Sequence, residues 1–532
     1  MLLPRVKQQV NLNREQQLCF PLRIRCADAQ SRRIPFVLQE MMPYASFEVC
    51  DKEADLTLAI VPGVSNLSEA YELSVDEGKI TIRAKDYCGL VHAAATVAQS
   101  VRYKDGAFWI PQMKIFDHPD TAFRSVMLDP ARNVIPVEEV RATILGMAKA
   151  KYNKLHLHLS DSTGFSYKSE VCPDLPRSPG KLYTKAQLRS FIDYAEAFGI
   201  DVIPEIDVPA HSFSLTQCFP SLKCQPDEGV SAEEMSGWNI CLGNEESYTF
   251  IQKILSEIAE IFPYEYVHVG TDEMDMQDIP TTPPPTADTC RCRVCNSRFI
   301  PMGYDTIRPR FYYFVRRVYD ILHSLGKKMM MWNDDVDISK SPDIPRDILI
   351  EFWRVAAEGR GPVEGCSMKR FLEEGFEVVN ADFPNAYVDK YVVWEKLVTW
   401  NLKKEPESSP EHAHLILGTD ICAWEGQNYP HYQYALPFAL PVFGDRAWNL
   451  DPLPNNASST QALTRACLGC DVKEDFDLFT FLDGVPLGDA QDKNGEIFAK
   501  DADRTYLRNT LSDLSHLAAN EAHPVRALLE LL

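Results

Sequence analysis

Acidic and aromatic side chains recur in this sequence directly after short apolar segments. Asp272 and Glu273 follow YVHVGT, Asp161 follows KLHLHLS, and His211 follows VIPEIDVPA. Three tryptophans close other apolar segments, and these are Trp332, Trp353 and Trp424. Sugars present C–H faces to aromatic rings and hydroxyl groups to charged acceptors. Cleavage of a glycosidic bond generally requires a protonated acid and a second group that stabilises positive charge at the anomeric carbon. These residue types therefore indicate chemistry on carbohydrates.

Asp272 and Glu273 form an adjacent pair of carboxylates. Neighbours on a regular strand point to opposite faces of the sheet, so both can face one ligand only where the strand ends and the backbone turns. A carboxylate that lies close to another and is partly buried has a raised pKa, as a general acid needs near neutral pH. Taken alone, the pair also fits two solvated acids that cap the next helix.

Eight strand-like segments alternate with amphipathic helical segments from about residue 120 onward. This alternation predicts a (β/α)8 barrel, in which the strands are nearly continuous apolar runs because both of their faces are buried. Catalytic residues of such a barrel lie at the C-terminal ends of the strands. The eight segments are 123–129, 154–161, 201–208, 266–273, 328–334, 348–354, 377–383 and 414–424.

The chain divides into three predicted parts. Residues 1–117 predict a small α+β accessory domain with antiparallel pairing, and residues 118–455 predict the barrel. Residues 456–532 predict a mainly helical segment, which would either pack on the barrel or mediate self-association into a homo-oligomer. A proline-rich stretch at 275–289 follows the fourth strand, where we expect the rim of the site.

Composition and charge narrow the range of partners and compartments. The 532 residues are 45% apolar and 24% charged, as is ordinary for a globular protein, and the formal net charge is −22. This charge repels nucleic acid and anionic membrane, so we expect no nucleic-acid partner. No apolar run approaches the ~18 residues of a membrane span. The start, MLLPRVKQQV, lacks the apolar core of a signal peptide, which predicts a cytoplasmic protein, or a periplasmic or secreted one if a signal has been removed.

Motifs on several of these segments resemble glycoside hydrolase family 20, the β-N-acetylhexosaminidases. HVGTDEM (268–274) is similar to the family's His-x-Gly-x-Asp-Glu signature. Four further segments resemble its first three strands and the end of its N-terminal accessory domain. They are FRSVMLDPAR (123–132), KLHLHLSDSTGF (154–165), VIPEIDVPAH (202–211) and GLVHAAATVAQSV (89–101).

The resemblance implies a retaining exo-β-N-acetylhexosaminidase that needs no cofactor. Its substrate would be an oligosaccharide or glycoconjugate with a terminal β-linked GlcNAc or GalNAc. The substrate's own 2-acetamido oxygen would attack the anomeric carbon and form an oxazolinium intermediate. Glu273 matches the general acid, and Asp272 matches the residue that orients the acetamide N–H.

The family pattern also assigns the residues around this pair. Asp161 and His211 match a relay that hydrogen-bonds the acid, and Tyr387 matches the hydroxyl donor to the acetamide oxygen. The residues assigned to substrate binding are Arg124, Trp332, Trp353, Trp424, Asp389, Glu425 and His268.

One departure from the family pattern bears on substrate preference. Many members carry a sugar-binding acid two residues after the last tryptophan, whereas here Glu425 follows Trp424 directly and Gly426 stands in the usual place. The contacts to the 4- and 6-hydroxyls, and with them the preference between GlcNAc and GalNAc, are therefore left open.

Three alternatives remain open from the residues. The first is a related enzyme that releases a disaccharide such as lacto-N-biose, and the second is a non-catalytic glycan-binding protein on the same scaffold. The third is a zinc amidohydrolase, because His156 and His158 share one face of a strand and an H-x-H pair in a barrel can bind zinc. No set of Lys or His at the later strand ends completes such a site, which favours buried, hydrogen-bonded histidines.

A cysteine cluster is the remaining candidate for metal binding. Cys290, Cys292 and Cys295 have spacing suited to part of a structural zinc site, but Cys224, Cys467 or Cys470 would have to supply the fourth ligand. Spacing alone overpredicts such sites, so no metal is assigned from the sequence.

Overall fold

The computed structural model describes residues 2–232, 235, 237–274, 290–333, 336–338, 344–353, 367–388, 397–404, 409–424 and 436–454. Its strands fall into an N-terminal mixed sheet, a closed barrel and one short hairpin. The strands are β1 (Gln8–Leu18), β2 (Leu22–Cys26), β3 (Phe47–Val49), β4 (Leu56–Ile60), β5 (Tyr71–Asp76), β6 (Lys79–Ala84), β7 (Arg102–Lys104), β8 (Ala107–Asp117), β9 (Phe123–Leu128), β10 (Lys154–His158), β11 (Ser160–Asp161), β12 (Gly164–Phe165), β13 (Asp201–Glu205), β14 (Tyr266–His268), β15 (Lys328–Trp332), β16 (Leu349–Phe352), β17 (Val378–Asn380) and β18 (Ile416–Ala423).

Helices connect the barrel strands and cover the N-terminal sheet. They are α1 (Ile34–Met41), α2 (Tyr87–Ser100), α3 (Val137–Lys149), α4 (Lys185–Ala197), α5 (Phe213–Cys218), α6 (Glu245–Ile261), α7 (Arg293–Phe299), α8 (Ile307–Ser324), α9 (Met368–Glu373), α10 (Phe383–Ala386) and α11 (Leu436–Trp448).

The N-terminal sheet has the strand order β1-β8-β5-β6-β4-β2-β3, with β7 paired to β8. The pairs on the β8 side are antiparallel, as predicted, but β2 pairs in parallel with β3 and β4, and β4 pairs in parallel with β6. Parallel neighbours need a crossover connection, and α1 supplies one between β2 and β3. The sequence pattern identified strands but not their direction.

The barrel is closed in the order β10-β13-β14-β15-β16-β17-β18-β9, and every pairing is parallel. All eight segments predicted from the sequence form its strands, and all six residues of β9 are buried. The predicted TIM barrel with an α+β accessory domain is therefore confirmed. The C-terminal ends of the strands lie at one rim, which brings the residues after β10, β13 and β14 together.

The helix signals in the sequence match the local structure. Thr184 caps α4, and its side chain and that of Gln187 form the predicted capping box. α8 buries one apolar stripe that includes Phe311, Phe314 and Val318. Among the described residues, no helix combines the length and hydropathy needed to cross a bilayer. The proline-rich stretch 275–289 and the segment 456–532 lie outside the described residues.

Candidate active site

The adjacent carboxylates Asp272 and Glu273 lie just beyond the end of β14, where the backbone leaves the strand geometry. Gly270, Thr271 and Glu273 have φ values of +64°, +76° and +52°. A Cβ atom on Gly270 would lie 1.8 Å from Asp207 Oδ1, so only glycine fits this turn. The left-handed turn is the departure from strand alternation that lets both carboxylates approach the same imidazole, that of His211.

His211 connects these two carboxylates to a third. Its Nε2 atom lies 3.3 Å from Asp272 Oδ2 and 3.7 Å from Glu273 Oε2, and its Nδ1 atom lies 3.2 Å from Asp161 Oδ2. The structure thus brings together the residues to which the family resemblance gave the roles of acid (Glu273), acetamide-orienting group (Asp272) and relay (Asp161 and His211). Asp161 and His211 are buried, and Glu273 is partly exposed, as a group that meets a substrate must be.

Arg132 completes this cluster, and the sequence analysis did not select it. Its guanidinium donates to Asp129 at 2.6 Å, pairs with Asp161 at 2.9 Å and lies 4.7 Å from the ring centroid of Trp424. The signal was present in the sequence as an Asp and an Arg three residues apart just beyond β9. A surface ion pair has the same spacing, so the spacing alone did not identify the site.

Charges at this rim fix the protonation of the relay. Burial opposes ionisation of Asp161, but Arg132, His158 and His211 outweigh it and hold the pKa of that carboxyl well below its usual range. Burial lowers the pKa of His211, but the carboxylates of Asp207 and Asp272 and the contact with Asp161 raise it well above the ordinary histidine value. The neighbouring carboxylates therefore favour the protonated form of His211.

The pKa of Asp207 shifts in the opposite direction to that of Asp161. It is fully buried beside Asp272, and both burial and the charge of Asp272 raise the pKa of Asp207 well above that of an ordinary carboxyl. This relationship depends on packing between two strand ends, which the sequence does not reveal.

A layer of buried histidines and carboxylates supports the cluster from within the barrel. Glu205 accepts from Trp332 Nε1 at 2.9 Å, lies 3.0 Å from His268 Nδ1, and pairs with His158. The other ring nitrogen of His158 lies 3.1 Å from Asp161. Carboxylates lie against both ring nitrogens of His158, so this histidine of β10 takes part in the buried, hydrogen-bonded layer that the sequence favoured. His268 is fully buried in this layer, which corrects its predicted role from substrate contact to positioning.

An aromatic wall borders the same rim. The rings of Trp332 and Trp424 are 6.0 Å apart, Tyr387 lies 6.0 Å from Trp424, and Trp353 stacks on Tyr387 at 6.3 Å. Trp332 and Tyr387 are buried, whereas Trp353 and Trp424 are partly exposed. These four rings lie at or after the ends of the last four barrel strands, β15 to β18, and the structure groups them at one rim.

Arg124 is the one predicted sugar-binding residue that lies elsewhere. It is the second residue of β9, at the N-terminal end of the barrel, and it is 1% exposed. Its guanidinium pairs with Glu69 of the accessory domain and donates to the carbonyl oxygens of Thr121 and Lys151. The predicted contact between Arg124 and substrate is therefore wrong. Asp389 and Glu425, the remaining predicted residues, lie outside the described residues.

A parallel eight-stranded barrel with an acid pair, a charged relay and an aromatic wall at its C-terminal rim defines a barrel enzyme of the glycosidase type. Models of known families agree with this class. The catalytic domain of glycosyl hydrolase family 20 matches residues 122–437, and domain 2 of the same family matches residues 1–118. The chain belongs to glycosyl hydrolase family 20, a family of glycoside hydrolases, as its motifs indicated.

Individual relatives are more distant. A β-hexosaminidase of Vibrio furnissii is 27% identical over 70% of this chain and 63% of its own length, slightly less than two thirds. The β-hexosaminidase subunit beta of Homo sapiens is 26% identical over 76% of this chain and 70% of its own length. Among solved structures, a chitobiase of Flavobacterium johnsoniae aligns with a TM-score of 0.75 at 21% identity, covering 99% of this chain and 86% of its own. That likeness shows the fold.

Proposed function

We propose that this protein is a retaining exo-β-N-acetylhexosaminidase that hydrolyses terminal, non-reducing β-linked GlcNAc or GalNAc by substrate-assisted catalysis. The observation that carries the proposal is the pairing of Asp272 and Glu273 around one imidazole, with Nε2 of His211 at 3.3 Å and 3.7 Å. Two adjacent carboxylates on one pocket can serve neighbouring atoms of one sugar, the acetamide at C2 and the glycosidic oxygen at C1.

The first step divides between these two carboxylates. The acetamido carbonyl oxygen of the substrate forms a bond to the anomeric carbon while the bond to the leaving oxygen breaks, and Glu273 gives its proton to that oxygen. Asp272 accepts a hydrogen bond from the acetamide N–H and stabilises the positive charge of the resulting oxazolinium ion. In the second step Glu273 takes a proton from water, and the water attacks the anomeric carbon from the side that the leaving group vacated. This attack reopens the oxazolinium ring and gives net retention.

The remaining groups hold the sugar and the acid. Tyr387 would donate from its hydroxyl to the acetamide oxygen, within the aromatic wall that would enclose the acetamide methyl. Arg132 takes over the sugar-gripping role predicted for Arg124, because it lies at the rim between Asp161 and Trp424. The cationic His211, held by Asp161, fixes the positions of both carboxylates.

The substrate class also draws support from the relatives. The V. furnissii and human relatives are named β-hexosaminidases, and another, from Ostrinia furnacalis, is named a chitooligosaccharidolytic β-N-acetylglucosaminidase. These proteins are about one quarter identical to this chain, and their names agree with the proposed substrate class.

Hydrolysis of p-nitrophenyl β-GlcNAc, β-GalNAc, β-glucoside and β-galactoside, with and without EDTA, tests the activity. We expect cleavage of the two acetamido sugars alone, and no loss of the initial rate when EDTA is present.

A second experiment tests the participation of the acetamide. Replacing the acetyl group of the substrate by mono-, di- and trifluoroacetyl should lower kcat/KM progressively, because fluorine withdraws electrons from the attacking oxygen. Rates independent of fluorination would contradict acetamide participation. Cleavage of intact oligosaccharides but not of the monosaccharide glycosides would instead indicate a disaccharide-releasing enzyme, and binding without cleavage a lectin-like protein.

A further inference from the structure

Four cysteines from three separate segments converge beside the active-site rim. They are Cys224 and Cys241, from the connection between β13 and α6, and Cys292 and Cys295, at the start of α7. All four are buried, and their Sγ atoms all lie within 4.8 Å of one another. The Sγ atom of Cys241 is 3.7 Å from that of Cys292 and 3.6 Å from that of Cys295. The described cysteines are all free thiols.

We propose that these four cysteines bind one Zn²⁺ ion as a structural site. Zinc bound by four thiolates is tetrahedral with Zn–S distances of about 2.3 Å, so its sulfurs lie roughly 3.8 Å apart. The two separations from Cys241 match this spacing and are far longer than the ~2.05 Å of a disulfide. Four thiolates are also the ligand set of many structural zinc sites, and such sites leave no position open for substrate.

The backbone is shaped around this cluster. The amide N–H of Cys295 donates to Cys292 Sγ at 3.5 Å, which helps to stabilise a thiolate on Cys292. The amide of Arg293 donates to the carbonyl oxygen of Gln225 at 2.8 Å, so the segment beside Cys224 is joined to the start of α7 beside Cys292. A Cβ on Gly243 would lie 2.7 Å from Cys295 Cα, so the glycine permits the segment of Cys241 to approach α7 closely.

This set of ligands differs from the one that the sequence suggested. Cys290 is only partly buried and does not belong to the group of four, whereas Cys241, which no local spacing connects to the others, does. Cys224 was one of the residues considered as a fourth ligand. The site combines one close pair with two cysteines that lie 51 or more residues earlier than Cys292, and only the fold brings these together.

The proposed ion would position a segment that touches the relay. Between Cys224 and Cys241 lies Trp238, whose ring is 4.5 Å from that of His211 and whose Nε1 donates to the carbonyl oxygen of Glu273 at 3.3 Å. The carbonyl oxygen of Trp238 accepts from the amide of Ser212 at 2.8 Å. Cys292 and Cys295 lie at the start of α7. Zinc would thus join the segment that carries Trp238 to the start of α7.

The test begins with the metal content of the full-length protein, expressed in medium supplemented with zinc. We expect about one zinc per chain by inductively coupled plasma mass spectrometry. X-ray absorption at the zinc edge should fit four sulfurs at about 2.3 Å. Mercurial titration of the thiols should release the zinc in parallel. Two disulfides in the purified protein, iron in place of zinc, or zinc bound by nitrogen or oxygen ligands would each overturn the proposal. None of these measurements depends on activity, so they stand apart from the test of the proposed function.

Variants then distinguish zinc binding from its expected effect on catalysis. Cys292→Ser and Cys241→Ser should lose zinc and lower Tm, Cys290→Ser should keep it, and Cys172→Ser, outside the cluster, is the matched control. Trp238→Phe should retain zinc but lower kcat roughly 10- to 100-fold with little change in KM, because it displaces the acid and not the sugar site. Full zinc occupancy in Cys292→Ser would contradict the assigned ligands, and an unchanged kcat in Trp238→Phe would contradict the positioning role.

Discussion

The Nδ1 atom of His211 lies 3.2 Å from Asp161 Oδ2, while the opposite ring nitrogen faces Asp272 and Glu273. Asp161 is itself held by Arg132 at 2.9 Å. The chain of contacts therefore runs from a guanidinium through a carboxylate and an imidazolium to the acid pair. Asp161 and His211 therefore support the acid pair, while Arg132 combines its place in this chain with its proposed contact to the sugar.

Glu273→Gln removes the proton donor of the proposed mechanism. We expect kcat to fall about 10²- to 10⁴-fold on substrates with poor leaving groups, the usual contribution of general acid–base catalysis. The loss on a 2,4-dinitrophenyl glycoside should be much smaller in the first step, because that leaving group needs no protonation. Steady-state and pre-steady-state rates on both substrates measure the difference. Equal losses on the two substrates would contradict the assignment of Glu273 as acid.

Asp161→Asn tests the relay through the pH profile. The Asp161 carboxylate is one of the groups that raise the pKa of His211, so removing its charge lowers that pKa. His211 then loses its proton at a lower pH, and the alkaline limb of the kcat/KM profile should move in the acid direction. KM at low pH should change little. A profile of unchanged shape with uniformly lower activity would indicate a purely structural role for Asp161.

The sequence predicted the barrel and the acid pair because both are local signals. Each strand is a short apolar run, and Asp272 and Glu273 are adjacent in the chain. The sequence analysis did not select Arg132, and it identified the set of four cysteines only in part. Both depend on contacts between distant segments of the chain. Arg124 was misplaced because two arginines belong to the same motif: Arg124 is the second residue of β9 and Arg132 follows the strand, and it is the C-terminal end of a barrel strand that reaches the rim.

Arg132→Lys and Arg124→Lys should separate these two arginines. Lysine cannot reproduce the planar fork that meets Asp129 and Asp161 together, so Arg132→Lys should lower kcat/KM about 10- to 100-fold. Arg124→Lys should lower stability and leave KM of the folded enzyme unchanged, because its partners lie at the opposite end of the barrel. Kinetics on the folded fraction decide between the two. A raised KM in Arg124→Lys alone would restore the role predicted from the sequence.

Glu69→Gln should weaken the contact between the accessory domain and the barrel. Glu69 pairs with the buried Arg124 and lies 2.7 Å from His92, so the substitution leaves a buried guanidinium without its counter-charge. Breaking such a pair costs about 3–5 kcal/mol. Glu72→Gln is the matched control, because Glu72 and Arg83 are 43% and 50% exposed and their pair should contribute under about 1 kcal/mol. Urea unfolding measures both, and equal effects would contradict a structural role for the buried pair.

Protonation of His156 makes the stability of the fold depend on pH in the alkaline range. Burial lowers the pKa of His156, but Asp420 and Glu205 outweigh it and raise that pKa to about 9. Since the unfolded value is about 6.5, the stabilising contribution of the protonated ring is fully present below about pH 6.5 and is lost as the pH rises through about 9. The shift corresponds to roughly 3 kcal/mol.

Histidine-selective ¹⁵N labelling measures the prediction directly. The resonance that disappears in His156→Gln should titrate with a midpoint near pH 9 in the folded protein. Between pH 6.5 and 9, the free energy of unfolding of the wild type should fall more steeply than that of His156→Gln, because the variant has no proton to lose at this position. His323→Gln, on the exposed surface of α8, is the matched control and should keep the wild-type slope. A midpoint near the ordinary histidine value would show that Asp420 and Glu205 do not hold His156 in its charged form.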